Sequence, residues 1–173
     1  IHVRHTSVFV DTAPLDFSFL SKINESLRMH AELFYPKYTP QDPQWYCRNK
    51  SVFAAIREKD RLLSFPFESM KPFLSMLEEA ASDPNVLSIR MTLYRVAHHS
   101  QIVERLIEAS ENGKDVQVLV ELKARFDEEN NIEWSERMEE AGIRVVYGLQ
   151  GYKVHSKLCL ITRKTRYGVE YYT

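Results

Sequence analysis

Val86-Leu87-Ser88-Ile89-Arg90-Met91-Thr92-Leu93, Val116-Gln117-Val118-Leu119-Val120-Glu121-Leu122 and Ile143-Arg144-Val145-Val146-Tyr147 are three apolar runs separated by two stretches of helical period. Leu87 to Leu93 has the composition of a strand, and Val116 to Leu122 is a β-branched run suited to a buried parallel strand. Between them Ser100 supplies an N-cap. Ile102, Val103, Leu106, Ile107 and Ser110 then share one side of a helix, and Gly113 stops it. Asp127-Glu128-Glu129 opens the next helix with acids at the positive end of its dipole, and Gly142 closes it before the third run. Strand, helix, strand, helix, strand predicts an α/β layer with right-handed crossovers.

Working outward, Gly148 to Gly151 leads into a fourth strand over Val154 to Thr162, with a fifth near Val169. The short Gly-bounded connection predicts that the fourth strand runs antiparallel to the third. Upstream, two short apolar runs between Ser51 and Phe67 flank Arg57-Glu58-Lys59-Asp60. Ser69 then caps a helix with Met70, Phe73, Leu74 and Leu77 on one face, ended by Asp83-Pro84-Asn85. Residues 1–45 lack a sustained period: Val8-Phe9-Val10 is strand-like, Leu15 to Leu33 loosely helical, and Pro36, Pro40 and Pro43 mark a loop. The fold class expected is α/β, a mixed, mainly parallel sheet with flanking helices over 46–173, preceded by a partial segment over 1–45.

The chain has 173 residues, 44% hydrophobic, 12% aromatic and 27% charged. That composition excludes a disordered chain, and two cysteines, Cys47 and Cys159, exclude a disulfide scaffold; both are expected reduced and inert. No apolar run approaches the roughly 20 residues of a membrane span, and no signal peptide opens the chain, so a cytoplasmic setting is the default. A start at Ile1 and a stop at Thr173 within a strand-like stretch suggest a piece of something longer. The formal net charge of −1 gives no global pull toward nucleic acid or an anionic membrane. Charge is regional instead. Acids crowd Asp127 to Glu140, where Trp134, Met138 and Ala141 recur at helical spacing and leave them on a solvated face. Lys153, Lys157, Arg163, Lys164 and Arg166 make the tail from Gly151 basic, which suits a solvated surface or an anion-binding edge equally.

In open α/β sheets ligands sit beyond the carboxyl ends of the parallel strands. Arg95 falls just past the first strand and Arg125 just past the second. A fourth strand that turns back tightly brings His155 and Lys157 to the same rim, pointing one way because i and i+2 share a strand face. Arginine forks bind phosphoryl oxygens, lysine adds a point charge, and a neutral imidazole, which nearby cations favour, is a competent nucleophile at phosphorus. Spacing alone leaves open both a phosphohistidine at His155 and a strand histidine satisfied by its neighbours. His98-His99 lacks accompanying ligands, which favours a polar loop over a metal site. No Walker loop or dinucleotide fingerprint is present.

Ile89 to Arg95, the run Val120-Glu121-Leu122-Lys123-Ala124-Arg125-Phe126-Asp127-Glu128-Glu129-Asn130-Asn131-Ile132-Glu133-Trp134, and Lys153-Val154-His155-Ser156-Lys157-Leu158 together resemble the polyphosphate kinases that make long-chain polyphosphate from ATP. Phe53 to Asp60 followed by Pro66-Phe67-Glu68-Ser69 resembles the same family, so the likeness runs from about Val8 to the end. It implies reversible transfer of the terminal phosphate of ATP onto inorganic polyphosphate through a phosphohistidine, with Mg2+. His155 matches the phosphorylated histidine, with Lys157 beside it stabilising charge. Arg95 and Arg125 match the magnesium and phosphate site, and since arginine is a poor cation ligand they would hold phosphate oxygens that in turn hold the ion. The resemblance makes 1–45 the end of a preceding head domain and 46–173 the first of two phospholipase D-like catalytic domains. It further implies a homo-oligomer and ATP, ADP and polyphosphate as partners, with no nucleic acid. Peripheral membrane attachment through other regions stays open.

The His-x-Lys pair also resembles the phospholipase D superfamily, whose motif expects an Asp five residues after the lysine, where Thr162 stands here. Three classes therefore frame the function: a phosphotransferase, a phospholipase D-like phosphodiesterase or nuclease half-site, and a non-catalytic polyanion-binding module. The resemblance favours the first, and a single His-x-Lys predicts that the chain alone is inactive.

Overall fold

The computed structural model describes residues 6, 8, 10, 12, 14–121, 128–148 and 151–173. These divide into two compact units, 1–39 and 40–173. In the first, Val8 and Val10 lie in no strand, Phe9 is outside the described residues, and α1 (Phe19–Ser26), the one α-helix among the described residues there, buries none of its side chains.

The second unit carries the core. Its helices are α2 (Val52–Glu58), α3 (Lys71–Ser82), α4 (Gln101–Glu111) and α5 (Glu128–Glu140), and its strands β1 (Val86–Leu93), β2 (Asp115–Val120), β3 (Arg144–Tyr147), β4 (Cys159–Thr165) and β5 (Gly168–Tyr172). The strands form one mixed sheet in the order β3-β2-β1-β4-β5. β1, β2 and β3 are parallel, while β4 is antiparallel to β1 and β5 to β4. The expected strand-helix alternation is present. The expected neighbour of β4 is not: it pairs with β1, across the sheet from β3, and it begins five residues later than the sequence pattern suggests. β2 differs from a strand buried on both faces, because Val116, Val118 and Val120 are buried while Gln117 and Leu119 between them are only half-buried. The far end of that predicted run, Leu122, and the predicted helix start at Asp127 lie outside the described residues.

Local sequence accounts for the helix ends. Ser51 Oγ accepts the Ala54 N–H at 3.0 Å, and Ser100 Oγ accepts that of Val103 at 3.4 Å. After α4, Gly113 N–H donates to Ser110 O at 2.9 Å and Lys114 N–H to Ala109 O at 3.0 Å; after α5, Gly142 and Ile143 repeat the pattern onto Glu139 and Met138. This double closure places one residue in left-handed backbone, where Gly113 has φ 79° and Gly142 φ 80°. Ser69 departs from its expected role. Its hydroxyl donates to Asp42 Oδ1 at 2.6 Å and caps nothing, since α3 begins two residues later. The buried face of α3 overlaps the expected one only in part: Leu77 is fully buried and Phe73 packs against the core, but Pro72, Met76, Ala80 and Ala81 complete the face and Met70 is exposed.

The turn between α3 and β1 is pinned by Asp83, whose Oδ2 accepts from Arg163 Nε at 2.7 Å and whose Oδ1 accepts from the Asn85 N–H at 2.8 Å. Burial raises this carboxyl's pKa, but the Asn85 backbone and side-chain donors and the Arg163 guanidinium outweigh it and hold the group below its ordinary 3.8. A depressed folded-state value stabilises the fold above the unfolded value and ceases to as pH falls through the folded one. The difference in melting temperature between the wild type and Asp83→Asn should therefore be constant between about pH 5 and 7 and shrink below about pH 4. A difference that persists undiminished at about pH 3 contradicts the assignment.

No helix among the described residues is long and apolar enough to cross a membrane.

Candidate active site at the carboxyl ends of the parallel strands

Because β4 runs opposite to β1, its first residue, Cys159, lies beside Met91 near the carboxyl end of β1. The segment Lys153 to Leu158 leading into it therefore crosses the rim where β1 and β2 also end. This segment is not regular strand, so a shared pleat face cannot explain why His155 and Lys157 come together. Tyr94, the residue after β1, does. The His155 ring meets the Tyr94 ring edge-on with centroids 4.8 Å apart, and Lys157 Nζ stands 4.8 Å from the same ring centroid. Lys153 Nζ lies 5.8 Å from it. Two ammonium groups and an exposed imidazole thus gather on one half-buried aromatic ring. Lys157 Nζ also donates to the His155 carbonyl at 2.5 Å.

Backbone bonds hold the segment in place. Thr92 N–H donates to Leu158 O at 2.9 Å, while its hydroxyl donates to Ser156 O at 2.7 Å and accepts from Leu158 N–H at 2.8 Å. Glu121, the residue after β2, is buried and accepts the Val154 N–H on Oε2 at 2.8 Å. Cys159 closes the segment with its thiol pushed up to about 11 by burial, as befits an unreactive cysteine. Cys47 is exposed.

Arg95 follows Tyr94 directly, is exposed, and sits two residues past the end of β1, as its spacing predicts. The connection that carries it is splinted by the start of α5. Asn131 Nδ2 donates to Tyr94 O at 2.9 Å and to Glu121 O at 3.1 Å, Asn130 Nδ2 to Val96 O at 2.5 Å, and Trp134 Nε1 to Ala97 O at 2.9 Å. Arg125 lies outside the described residues. His98 and His99 are exposed in a turn. Thr92, Tyr94, Glu121, Asn130, Asn131 and Trp134 acquire roles that sequence reasoning did not assign. A signal was present: Asn131 falls on the apolar face that Trp134 and Met138 define, and Glu121 is an acid at the end of an apolar run.

The arrangement suits anion chemistry. Among the described residues no group of three His, Cys, Asp or Glu could hold a metal ion, and arginine has no lone pair to offer one. The described residues supply no three-ligand protein cage for magnesium, so an ion here would depend on phosphate oxygens for most of its ligands.

Residues 51–173 match the family model described as polyphosphate kinase C-terminal domain 1. The chain belongs to the polyphosphate kinase family. It is 44% identical over 170 residues to the polyphosphate kinase of Lactiplantibacillus plantarum, covering 98% of this chain and 24% of that one. It is 48% identical over 140 residues to that of Campylobacter jejuni, covering 81% of this chain and 20% of that one. The crystal structure of polyphosphate kinase from Porphyromonas gingivalis superposes with a TM-score of 0.67 at 40% identity, over 80% of this chain and 21% of that one. The chain thus spans about a quarter of the length of the polyphosphate kinases it matches, and the mixed α/β fold is the one found there.

Proposed function

We propose that this chain is part of an ATP:polyphosphate phosphotransferase and that His155 is its covalent nucleophile. One observation carries the reading: an exposed imidazole at the carboxyl ends of the parallel strands, sharing the Tyr94 ring with two ammonium groups, on a backbone tied down on either side. In the forward step the bare ring nitrogen attacks the terminal phosphorus of ATP. The bond from that phosphorus to its bridging oxygen breaks, and ADP leaves with the electron pair. A terminal oxygen of polyphosphate then attacks the phosphorus, and the N–P bond breaks. Lys153 and Lys157 offset the charge on the phosphoryl oxygens, and Arg95 offers a planar fork to them. Magnesium, carried in by phosphate oxygens, supplies further charge neutralisation when bound.

The test is brief incubation of a full-length protein carrying this chain with γ-labelled ATP and magnesium, followed by alkaline digestion and peptide mapping. Acid-labile, alkali-stable phosphate on the His155 peptide supports the proposal. Label elsewhere, or none in a folded protein, moves the diesterase and polyanion-binding readings forward. The isolated chain, with one His-x-Lys, is expected to make no polyphosphate; robust ATP-dependent synthesis by it would show that one half-site suffices.

Arg95→Ala is expected to slow transfer roughly 10- to 100-fold, the worth of one charge-assisted hydrogen bond to phosphate, with little change in melting temperature. A melting temperature lowered as far as by a core truncation would mean that Arg95 holds the fold and not the phosphate.

A further inference from the structure

We infer that Glu121 is a positioning residue for phosphoryl transfer at His155, acting through its carboxylate hydrogen bond to the Val154 N–H. The inference rests on the reading of His155 as the nucleophile. Glutamate is rarely buried, and packing at the end of β2 needs only an apolar side chain. Glu121 is nevertheless only 6% exposed, and its Oε2 is spent on the backbone immediately before His155. The arm starts from a fixed base. Glu121 N–H donates to Leu93 O at 3.0 Å and its carbonyl accepts from Asn131 Nδ2 at 3.1 Å, so its main chain is tied to both neighbouring elements.

Val154 is itself 8% exposed, so water cannot readily take over its N–H if the carboxylate is removed. On the other side of the histidine, the Thr92 hydroxyl grips Ser156 O and Leu158 N–H. His155 is therefore the one residue between two clamps, with its main chain held and its side chain open to solvent. That is what in-line attack requires, since a misplacement of about 1 Å in the reacting geometry costs on the order of 100-fold in rate.

The experiment uses a full-length protein and follows single-turnover formation of acid-labile label on His155 over a range of ATP concentrations. Glu121→Ala is expected to be about 100-fold slower at saturating ATP, with the half-saturating ATP concentration within about 3-fold of wild type. Glu121→Gln keeps an oxygen acceptor for Val154 and is expected to recover to within about 10-fold of wild type. Melting curves give the folded fraction by which each rate is divided. If Glu121→Ala does not fold, Glu121→Asp replaces it; this keeps the charge but withdraws it from the Val154 N–H, and a comparable slowing is expected. Wild-type rates per folded molecule in Glu121→Ala or its replacement, an effect confined to ATP half-saturation, or a Gln variant no better than Ala each overturn the inference while leaving labelled His155 intact. A wild-type protein with no phosphate on His155 overturns the phosphohistidine reading and this one with it.

Discussion

His155→Ala in a full-length protein carrying this chain is expected to lose the acid-labile label completely and to lower polyphosphate synthesis by about 10⁴-fold or more, as removal of a covalent nucleophile does. Folding should barely notice. The imidazole is exposed, and its removal deletes one edge-on aromatic pair with Tyr94, worth about 0.5–1.5 kcal/mol. The Val154, Ser156 and Leu158 backbone bonds that hold the segment do not involve the ring. Activity and stability are therefore expected to separate at this position. Two results would sink the idea: synthesis above about a hundredth of wild type in the alanine variant, where no nucleophile stands, or a fall in melting temperature large enough to account for the lost activity.

That separation explains what could be read from the sequence. The three parallel strands and the two glycine-closed helices were legible because each rests on a pattern within about a dozen residues: apolar runs, a serine ahead of α4, and Gly113 and Gly142 behind α4 and α5. The rim position of Arg95 was legible because it follows directly from the end of β1, whereas His155 and Lys157 reach the same rim through β1 and Tyr94 and not through the β3 pairing that their spacing suggests. Long-range competition hid the rest. Ser69 has the composition of a cap, but Asp42, far back in the chain, takes its hydroxyl. The Gly-bounded loop after β3 suggests a hairpin, yet the place beside β1 is open and Thr92 extends that pairing to Leu158. Glu121 and Asn131 stand in family-like motifs with no visible purpose, because their partners are backbone groups of other elements. A polar side chain that serves a distant main chain leaves no period and no spacing.

The largest stability effect is expected at α5. Trp134 is 3% exposed, its Nε1 donates to Ala97 O, and the Arg137 guanidinium lies 4.3 Å from its ring centroid. Trp134→Ala leaves a cavity and strips a carbonyl of its partner, a loss of about 3–5 kcal/mol from a domain whose total stability is on the order of 5–15 kcal/mol. Trp134→Phe keeps part of the ring and loses the N–H, so its cost should fall clearly below that of alanine. Ile132, two residues away and 47% exposed, is the control, and Ile132→Ala should cost under about 1 kcal/mol. Urea unfolding of the three variants decides the matter, and a Trp134→Ala midpoint no lower than that of Ile132→Ala would mean that α5 does not anchor the rim. The consequence reaches the site through the backbone. Asn130, Asn131 and Trp134 take the carbonyls of Val96, Tyr94 and Ala97, which surround Arg95. Loosening α5 should therefore release the connection that presents Arg95 and the ring on which His155 rests, so that any folded Trp134→Ala protein transfers phosphate more slowly than its folded fraction predicts.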